Sequence, residues 1–354
     1  MRGVERRKTR TVTVGGVPIG SGHPVVVQSM LKRRPDDVEG ALADTARLAE
    51  EGCRLVRVAV PDEAALGPLG EFCRRSPLPV IADIHYDHRL AIGAVEAGVA
   101  KVRLNPGNLR ERERVREVAA ACRERGIPVR VGGNSGSIKR RDGTDDRSTA
   151  EALVDEVLAY CGMLEEFGVG DIIVSVKASD AATNAVVYRE VARRSDYPLH
   201  LGLTATGPRD EGAMKSSVAL GALLLEGIGD TVRVSLTADP LDEVRLTKDI
   251  LRACGLLDDR PEVVSCPTCG RCEVGLAELS RMVEEVRAAL AGRPGGLRVA
   301  VMGCVVNGPG EAAECDAGVA FGKGKAALFK GGRVVRVLPA SEAVGALLQL
   351  LQEP

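Results

Sequence analysis

The chain has 354 residues, 45% of them hydrophobic, enough to bury two cores without disulfide staples. Its 48 Lys and Arg stand against 49 Asp and Glu, so no global field draws it to nucleic acid or to a membrane surface. With 2% aromatic residues and no Trp, base stacking is argued against, and any phosphate recognition must be local.

The opening MRGVERRKTR is basic but leads into no apolar segment, and no uninterrupted apolar run approaches ~18 residues. The ten cysteines follow no regular pairing, which predicts reduced thiols and a cytoplasmic enzyme. From residue 24 onward one unit recurs: a short β-branched run, a polar or Gly/Pro break, then an amphipathic stretch of helical period. Eight runs are predicted as strands: PVVVQS (24–29), RLVRVAV (54–60), PVIADIH (79–85), KVRLNPGN (101–108), VRVGGN (129–134), DIIVSVK (171–177), LHLGLT (199–204) and TVRVSLT (231–237). Between them lie helix candidates such as DVEGALADTARLAEEG, ERERVREVAAACRERG and TAEALVDEVLAYCGMLEEFG, each closing on Gly as helix C-termini often do. Eight such units predict a (β/α)8 TIM barrel. A doubly wound open sheet would want a Gly-rich phosphate turn after its first strand, and none follows VVVQS.

A barrel gathers its active site at the carboxyl ends of its strands. Those ends offer Gln28, Ser29, Arg57, Asp83, His85, Arg103, Asn105, Asn108, Arg130, Asn134, Ser175, Lys177, His200, Thr204, Arg233 and Ser235. Bases outnumber acids there, and cations in β-branched runs are costly to bury without a partner. Arginine forks and a lysine suit phosphate oxygens, so the mouth predicts a small phosphorylated ligand, with the Asn and Ser groups suited to hydroxyls.

Near residue 260 the pattern changes. DDRPEVVS reads as a linker, followed by the cysteines, a helix (VGLAELSRMVEEVRAALAG), a strand (LRVAVMG), the segment CVVNGPGE (304–311), two short strands (AALFKGG, RVVRVL) and a last helix. The predicted division is a barrel over 1–258 and a small α+β domain over 262–354. In CPTCGRC, Cys266 and Cys269 resemble a zinc-ribbon knuckle, yet no second Cys-x-x-Cys follows; the later thiols are Cys304 and Cys315. A disulfide-exchange pair is a further reading, and Cys-x2-Cys-x2-Cys with a distant Cys resembles an iron–sulfur run. Cys53, Cys73, Cys122, Cys161 and Cys254 read as small buried hydrophobes.

VQSM, ADIHYDHRLA, KVRLNPGN, SVKASD, YPLHLGLT, EGIGDTVRVSL, SCPTCGR and VMGCVVNGPGE together resemble, in order and over nearly the whole chain, the bacterial IspG/GcpE family of 4-hydroxy-3-methylbut-2-enyl diphosphate synthases. The resemblance implies a TIM barrel joined to a [4Fe–4S] domain. It also implies a homodimer in which the cluster domain of one subunit caps the barrel of the other. The implied reaction is reductive ring opening and dehydroxylation of 2-C-methyl-D-erythritol 2,4-cyclodiphosphate in the non-mevalonate isoprenoid pathway, with ferredoxin or flavodoxin as electron donor. Cys266, Cys269 and Cys304 match the family's cluster thiolates, and Glu311 the carboxylate that completes the cluster. Arg57, Arg103, Asn105, Arg130, Asn134, Lys177, Arg233 and Ser235 match its substrate-binding positions.

Three departures stand out. Cys272 replaces a residue that is commonly not a thiol, which makes four thiolates formally available although the simple reading is a bystander. Ala205 replaces a family glutamate expected to act as an acid near the substrate. Leu31, and GGNSGS around Asn134, alter the mouth. Two other readings follow: a weakened family member that binds the cyclic diphosphate, or a zinc-stabilised sugar-phosphate-binding module.

Overall fold

The N-terminal segment forms a hairpin before any barrel strand appears. Strands β1 (Val12–Val14) and β2 (Val17–Ile19) pair antiparallel. Gly15 and Gly16 turn between them at φ of +54° and +83°, the left-handed pair that a two-residue hairpin of this twist requires. A Cβ at Gly15 would also lie 2.5 Å from Pro79, so the close approach excludes a side chain there. The computed structural model describes residues 4–134, 149–305, 310 and 312–352, and the chain divides into two compact units, Met1–Leu257 and Asp258–Pro354.

In the first unit the strands are β3 (Val26–Met30), β4 (Leu55–Ala59), β5 (Val80–Asp83), β6 (Lys101–Leu104), β7 (Val129–Asn134), β8 (Ile172–Lys177), β9 (His200–Leu201) and β10 (Thr231–Val232). Helices α1 (Val38–Glu50), α2 (Leu66–Arg75), α3 (His88–Glu96), α4 (Arg112–Glu124), α5 (Thr149–Glu166), α6 (Ala181–Arg194), α7 (Arg209–Leu225) and α8 (Pro240–Ala253) alternate with them. The parallel sheet runs β8-β7-β6-β5-β4-β3-β10-β9 and closes through a parallel bridge between Val174 and Leu199. This is the TIM barrel expected from the eightfold pattern. Asp37, Asp180 and Asp239 cap α1, α6 and α8 by accepting from backbone N–H groups of the first turn.

Val12, Val14, Val17 and Ile19 of the hairpin pack with Val26, Leu55, Ile81 and Ile173, residues near the starts of barrel strands. That apolar plug seals the amino-terminal end. The outer strand faces and inner helix faces form the main core, from Val58 and Leu69 to Val187 and Leu223.

The last two barrel strands are much shorter than LHLGLT and TVRVSLT suggest. Gly202 ends β9 where the Lys177 side chain crosses it, a Cβ there meeting Nζ at 2.7 Å. Beyond β10, the Leu236 N–H is taken by the Glu243 carboxylate at 3.0 Å, not by a neighbouring strand.

In the second unit β11 (Glu262–Ser265), β12 (Arg298–Met302), β13 (Ala317–Gly322), β14 (Lys325–Lys330) and β15 (Arg333–Pro339) form one sheet in that order. Helices α9 (Leu276–Ala289) and α10 (Ala343–Leu350) cover it with Met282, Val286 and Leu347. The segment DDRPEVVS is therefore not simply a linker: Glu262 to Ser265 pair in parallel with Arg298 to Val301. Strand β13, AGVAFG, is absent from the sequence reading because its Gly and Ala residues carry little β-propensity. Gly318 is required there, since a Cβ would meet Phe329 at 2.4 Å. Among the described residues no helix is long and apolar enough to cross a membrane.

Candidate active site

Period-two alternation puts Lys101 and Arg103 on one face of β6. The parallel register sets Arg103 beside Asp83 on one side and Arg130 on the other, with Arg57 beside Ile81. Three strands thus bring their cations to one chamber around Asp83 of β5. Arg103 donates to Asp83 at 3.2 Å and to the Gly132 carbonyl at 3.0 Å, and Gly132 has to be glycine because a Cβ would sit 2.7 Å from the guanidinium. Arg57 lies 4.0 Å from the same Asp83, and its Nε and Nη2 face the Met30 sulfur at 3.1 and 2.8 Å, a weak acceptor. Arg233 pairs with Glu243 of α8 at 3.2 Å. A cleft of about 410 Å³, with Met30, Lys32, Pro61 and Arg233 among its lining, opens beside it.

The remaining cations have no such partner. Arg130 is 1% exposed, and its Nε and Nη1 contact no acceptor among the described residues. Lys101 is wholly buried with Nζ unpartnered, and the equally enclosed His200 has a free Nε2. Both amide atoms of buried Gln28 also lack partners. Orphaned buried groups of this number are rare in folded proteins and mark a place built for something else to bind.

Burial, then the mutual repulsion of the cations, pushes Arg130, Lys101, Lys177 and His200 well below their ordinary pKa values, and Arg57 to about 10. Asp83 goes the other way. Burial alone would raise it, but Arg57, a hydrogen bond with His85, Arg103 and Arg130 together hold it well below the carboxylate range. A guanidinium keeps its proton under any such field, so the amines and the imidazole are the groups that give way.

The other barrel candidates sit close by. Asn105 is buried and its Oδ1 accepts from the Gly107 N–H at 3.0 Å, shaping the loop after β6. Asn134 ends β7 beside Lys177 at the end of β8. Ser235 is half-buried past β10, and its carbonyl accepts from the Thr206 hydroxyl. Ala205 is exposed past β9 at φ +54°. Sequence reasoning missed Lys101, which opens its strand, and Glu243, which comes from a helix. The period-two spacing from Arg103 was the available signal for Lys101.

In the second unit, the parallel pairing of β11 with β12 brings the residues after Ser265 and after Met302 level. These are Cys266 and the pair Gly303-Cys304. The Gly303 N–H donates to Cys266 Sγ at 3.2 Å, and a Cβ on Gly303 would lie 2.5 Å from Cys272 Sγ and 3.4 Å from Cys266 Sγ. The two sulfurs thus converge over a glycine that no other residue could replace. Thr268 turns the loop at φ +63° and leaves Cys269 exposed, while Cys304 is buried. Among the described residues no three Cys, His, Asp or Glu side chains close on a single metal-binding point, and Glu311 lies outside them. The donor chemistry still fits an iron–sulfur group: soft thiols on two adjacent strand ends, around a space that a Cβ would fill. Cys315 instead packs with Ala300, Met302 and Phe329. Cys53, Cys122, Cys161 and Cys254 are buried and Cys73 half-buried, with burial pushing the Cys53 thiol up to about 11 and Cys122 to about 12.

Residues 9–248 match the GcpE TIM-barrel domain and residues 262–353 the GcpE protein C-terminal domain. The chain is similar to 4-hydroxy-3-methylbut-2-en-1-yl diphosphate synthase (flavodoxin) of Corynebacterium glutamicum, with 48% identity over 97% of this chain and 91% of that one. It is likewise similar to the proteins of that name from Salinispora tropica (49% identity, 97% and 88%) and Geobacter sulfurreducens (48%, 97% of each). Among solved structures, dihydropteroate synthase of Yersinia pestis aligns with TM-score 0.51 at 12% identity, over 69% of this chain and 98% of that one, a likeness of fold alone.

The buried bases fix the sign of a pH effect. Lys101, Lys177 and His200 have lower pKa values folded than unfolded, so the unfolded chain binds more protons and stability rises with pH through the neutral range, by up to about 1.4 kcal/mol per pH unit for each proton. Asp83, also held low, adds to this rise, but only near and below its unfolded value of about 4. Denaturant melts of the ligand-free protein should give a higher midpoint at pH 8.5 than at pH 6. Lys101→Met should flatten the difference, and a higher midpoint at pH 6 would contradict the electrostatic account.

Proposed function

The chain belongs to the GcpE family, and from that premise we propose that it converts 2-C-methyl-D-erythritol 2,4-cyclodiphosphate to 4-hydroxy-3-methylbut-2-enyl diphosphate by reductive ring opening and dehydroxylation, in the non-mevalonate isoprenoid pathway. The observation that carries the substrate assignment is Arg130, a guanidinium buried in β7 with two donors that no described residue satisfies. A phosphate oxygen is the partner such a fork suits best. Arg57, Arg103, Lys177 and Arg233 are placed to surround the same diphosphate, with Asn105, Asn134 and Ser235 toward its hydroxyls. Asp83 and Glu243 orient Arg103 and Arg233, so these forks are fixed before substrate arrives.

In ionised form the cyclic dianion takes up two electrons and one proton and yields the open diphosphate trianion and one water. A [4Fe–4S] cluster, held by Cys266, Cys269, Cys304 and Glu311, would supply the electrons one at a time, with flavodoxin or ferredoxin as their source. The chain's own task is to hold the diphosphate, keep water out of the sealed barrel and present a proton to the departing hydroxyl. The resemblance to the family supports a homodimer in the cytoplasm as the working unit.

The direct test is anaerobic turnover of the cyclic diphosphate with an artificial reductant. Formation of the open diphosphate by brown protein supports the reading, and colourless protein that binds the substrate without converting it sinks it in favour of the zinc alternative. For the ligands, Cys266→Ser, Cys269→Ser and Cys304→Ser should each lose most iron and the broad absorption near ~400 nm. Cys272→Ser should keep both. Cys272 lies beside Cys266, so loss of iron in Cys272→Ser together with a stable four-iron cluster in Glu311→Ala would move the fourth ligand to Cys272.

Ala205 leaves the loop after β9 without the family's acid. Its backbone is held independently of its side chain, by the Thr204 hydroxyl on the Ala178 carbonyl at 3.0 Å and the Thr237 N–H on the Gly207 carbonyl at 3.0 Å. Ala205→Glu should therefore present a carboxyl in place and raise kcat, a positioned general acid being worth on the order of 10²–10⁴-fold, with little change in substrate affinity. Equal kcat in both proteins, at matched cluster content, would assign the proton to another group such as Asp210 or Glu211.

A further inference from the structure

The charges of the barrel chamber do not match those of its ligand at every stage of the proposed reaction. Asp83, which also lies 4.0 Å from Arg57, pairs with Arg103, and Glu243 pairs with Arg233, so two carboxylates face four guanidiniums and two positive charges, formally those of Arg57 and Arg130, remain unbalanced. A cyclic diphosphate has one ionised oxygen on each phosphorus, two negative charges that those two arginines balance. When the bond from C2 to its phosphate oxygen breaks, that phosphate becomes terminal and gains a second ionisable oxygen, whose pKa is about 6 in a phosphate monoester. The bound molecule then carries a third charge. The arginines have nothing further to offer.

Lys101 is the group that the contact positions do not account for. It begins β6 beside Ile81 of β5, two residues below Arg103, wholly buried and with Nζ lacking any acceptor. Its strongest charged neighbours are Arg130 of β7 and Arg57 of β4, and His200 of β9 feels its charge in turn. No carboxylate among the described residues reaches Nζ. An ammonium in that position is unfavourable, whereas a neutral amine is tolerable. Added negative charge above it reverses the preference. Lysine begins about four pKa units above histidine, so in the same field Lys101 takes a proton before His200 does. Lys177, at the mouth end of β8, is a contact position; Lys101 lies deeper and acts through charge alone.

We infer that Lys101 is a charge-matching base beneath the substrate site: neutral in the free barrel, it takes up a proton from solvent when the third charge, that of the terminal phosphate, develops on the bound diphosphate. Lys101 is thus a positioning residue for charge and touches neither substrate nor cluster. The inference rests on the barrel binding the cyclic diphosphate, and it adds that the protein discriminates the open from the closed diphosphate by proton uptake.

The test is titration calorimetry of the anaerobic holoenzyme at pH 7.5 with the cyclic and with the open diphosphate, each in two buffers of different ionisation enthalpy. The buffer dependence of the heat gives the number of protons taken up. The wild type should take up more protons with the open than with the cyclic diphosphate. Lys101→Met should lose most of that difference and bind the open form about tenfold more weakly, the equivalent of one pKa unit, with a smaller change for the cyclic form. Lys101→Gln serves as a second variant, and cluster absorption with the melting midpoint verifies that both fold. Binding with the same proton number in wild type and both variants overturns the role of Lys101 alone. Absence of binding heat for either ligand in the wild type overturns the substrate assignment itself.

Discussion

Unpaired positive charge inside a sealed barrel is the constraint on which the rest of the structure depends. A TIM barrel fills its interior with side chains, normally branched apolar ones. Here only the lowest layer is of that kind, where the hairpin residues Val12, Val14, Val17 and Ile19 close against Leu55, Ile81 and Ile173. Above it stand Arg57, Arg103, Arg130, Lys101, Lys177 and Arg233, all buried, against two acids. Such an interior opposes folding, because neither water nor enough carboxylates are present to stabilise the charges. The apolar contacts between strands and helices must offset that cost, and the continuous outer core is large enough to do so. The stability given up inside is recovered when an anion binds, which is how a binding site and a destabilised interior become one feature.

The second unit solves a different problem with the same economy of topology. Parallel pairing of β11 and β12 brings two strand ends level, so the Cys266 sulfur meets the Gly303 N–H although the two are far apart in sequence. Gly303 leaves room for the Cys266 and Cys272 sulfurs, and the left-handed turn at Thr268 leaves Cys269 at the surface. The thiols outside this region are packed among apolar side chains, where burial disfavours the thiolate that a metal would need. Environment, more than identity, separates candidate ligands from fillers among the ten cysteines.

Much of this was legible in the chain. The eightfold alternation foretold the barrel because β-branched runs and helical periods are local signals, and the arginines of the strands point to an anion because their cost is a property of residue type. What escaped depends on distant partners. Glu243 comes from a helix to hold Arg233, and no pattern near either residue reveals it. Lys101 opens its strand and reads as a boundary residue until the neighbouring strands enclose it. Strand β11 looks like a linker because its exposure on an edge leaves no alternation, and β9 and β10 are cut short by side chains arriving from β8 and α8. Strand β13 is built on glycine and alanine, whose fitness there comes from the Phe329 ring packed over Gly318.

The central claim is that the unsatisfied donors of the barrel exist for the phosphates of the ligand. A crystal structure of the anaerobic holoenzyme with the cyclic diphosphate tests it most directly. The account predicts phosphate oxygens within hydrogen-bond reach of the guanidiniums of Arg130 in β7 and Arg57 in β4. A diphosphate bound elsewhere, with Arg130 still lacking an anionic partner, would contradict it.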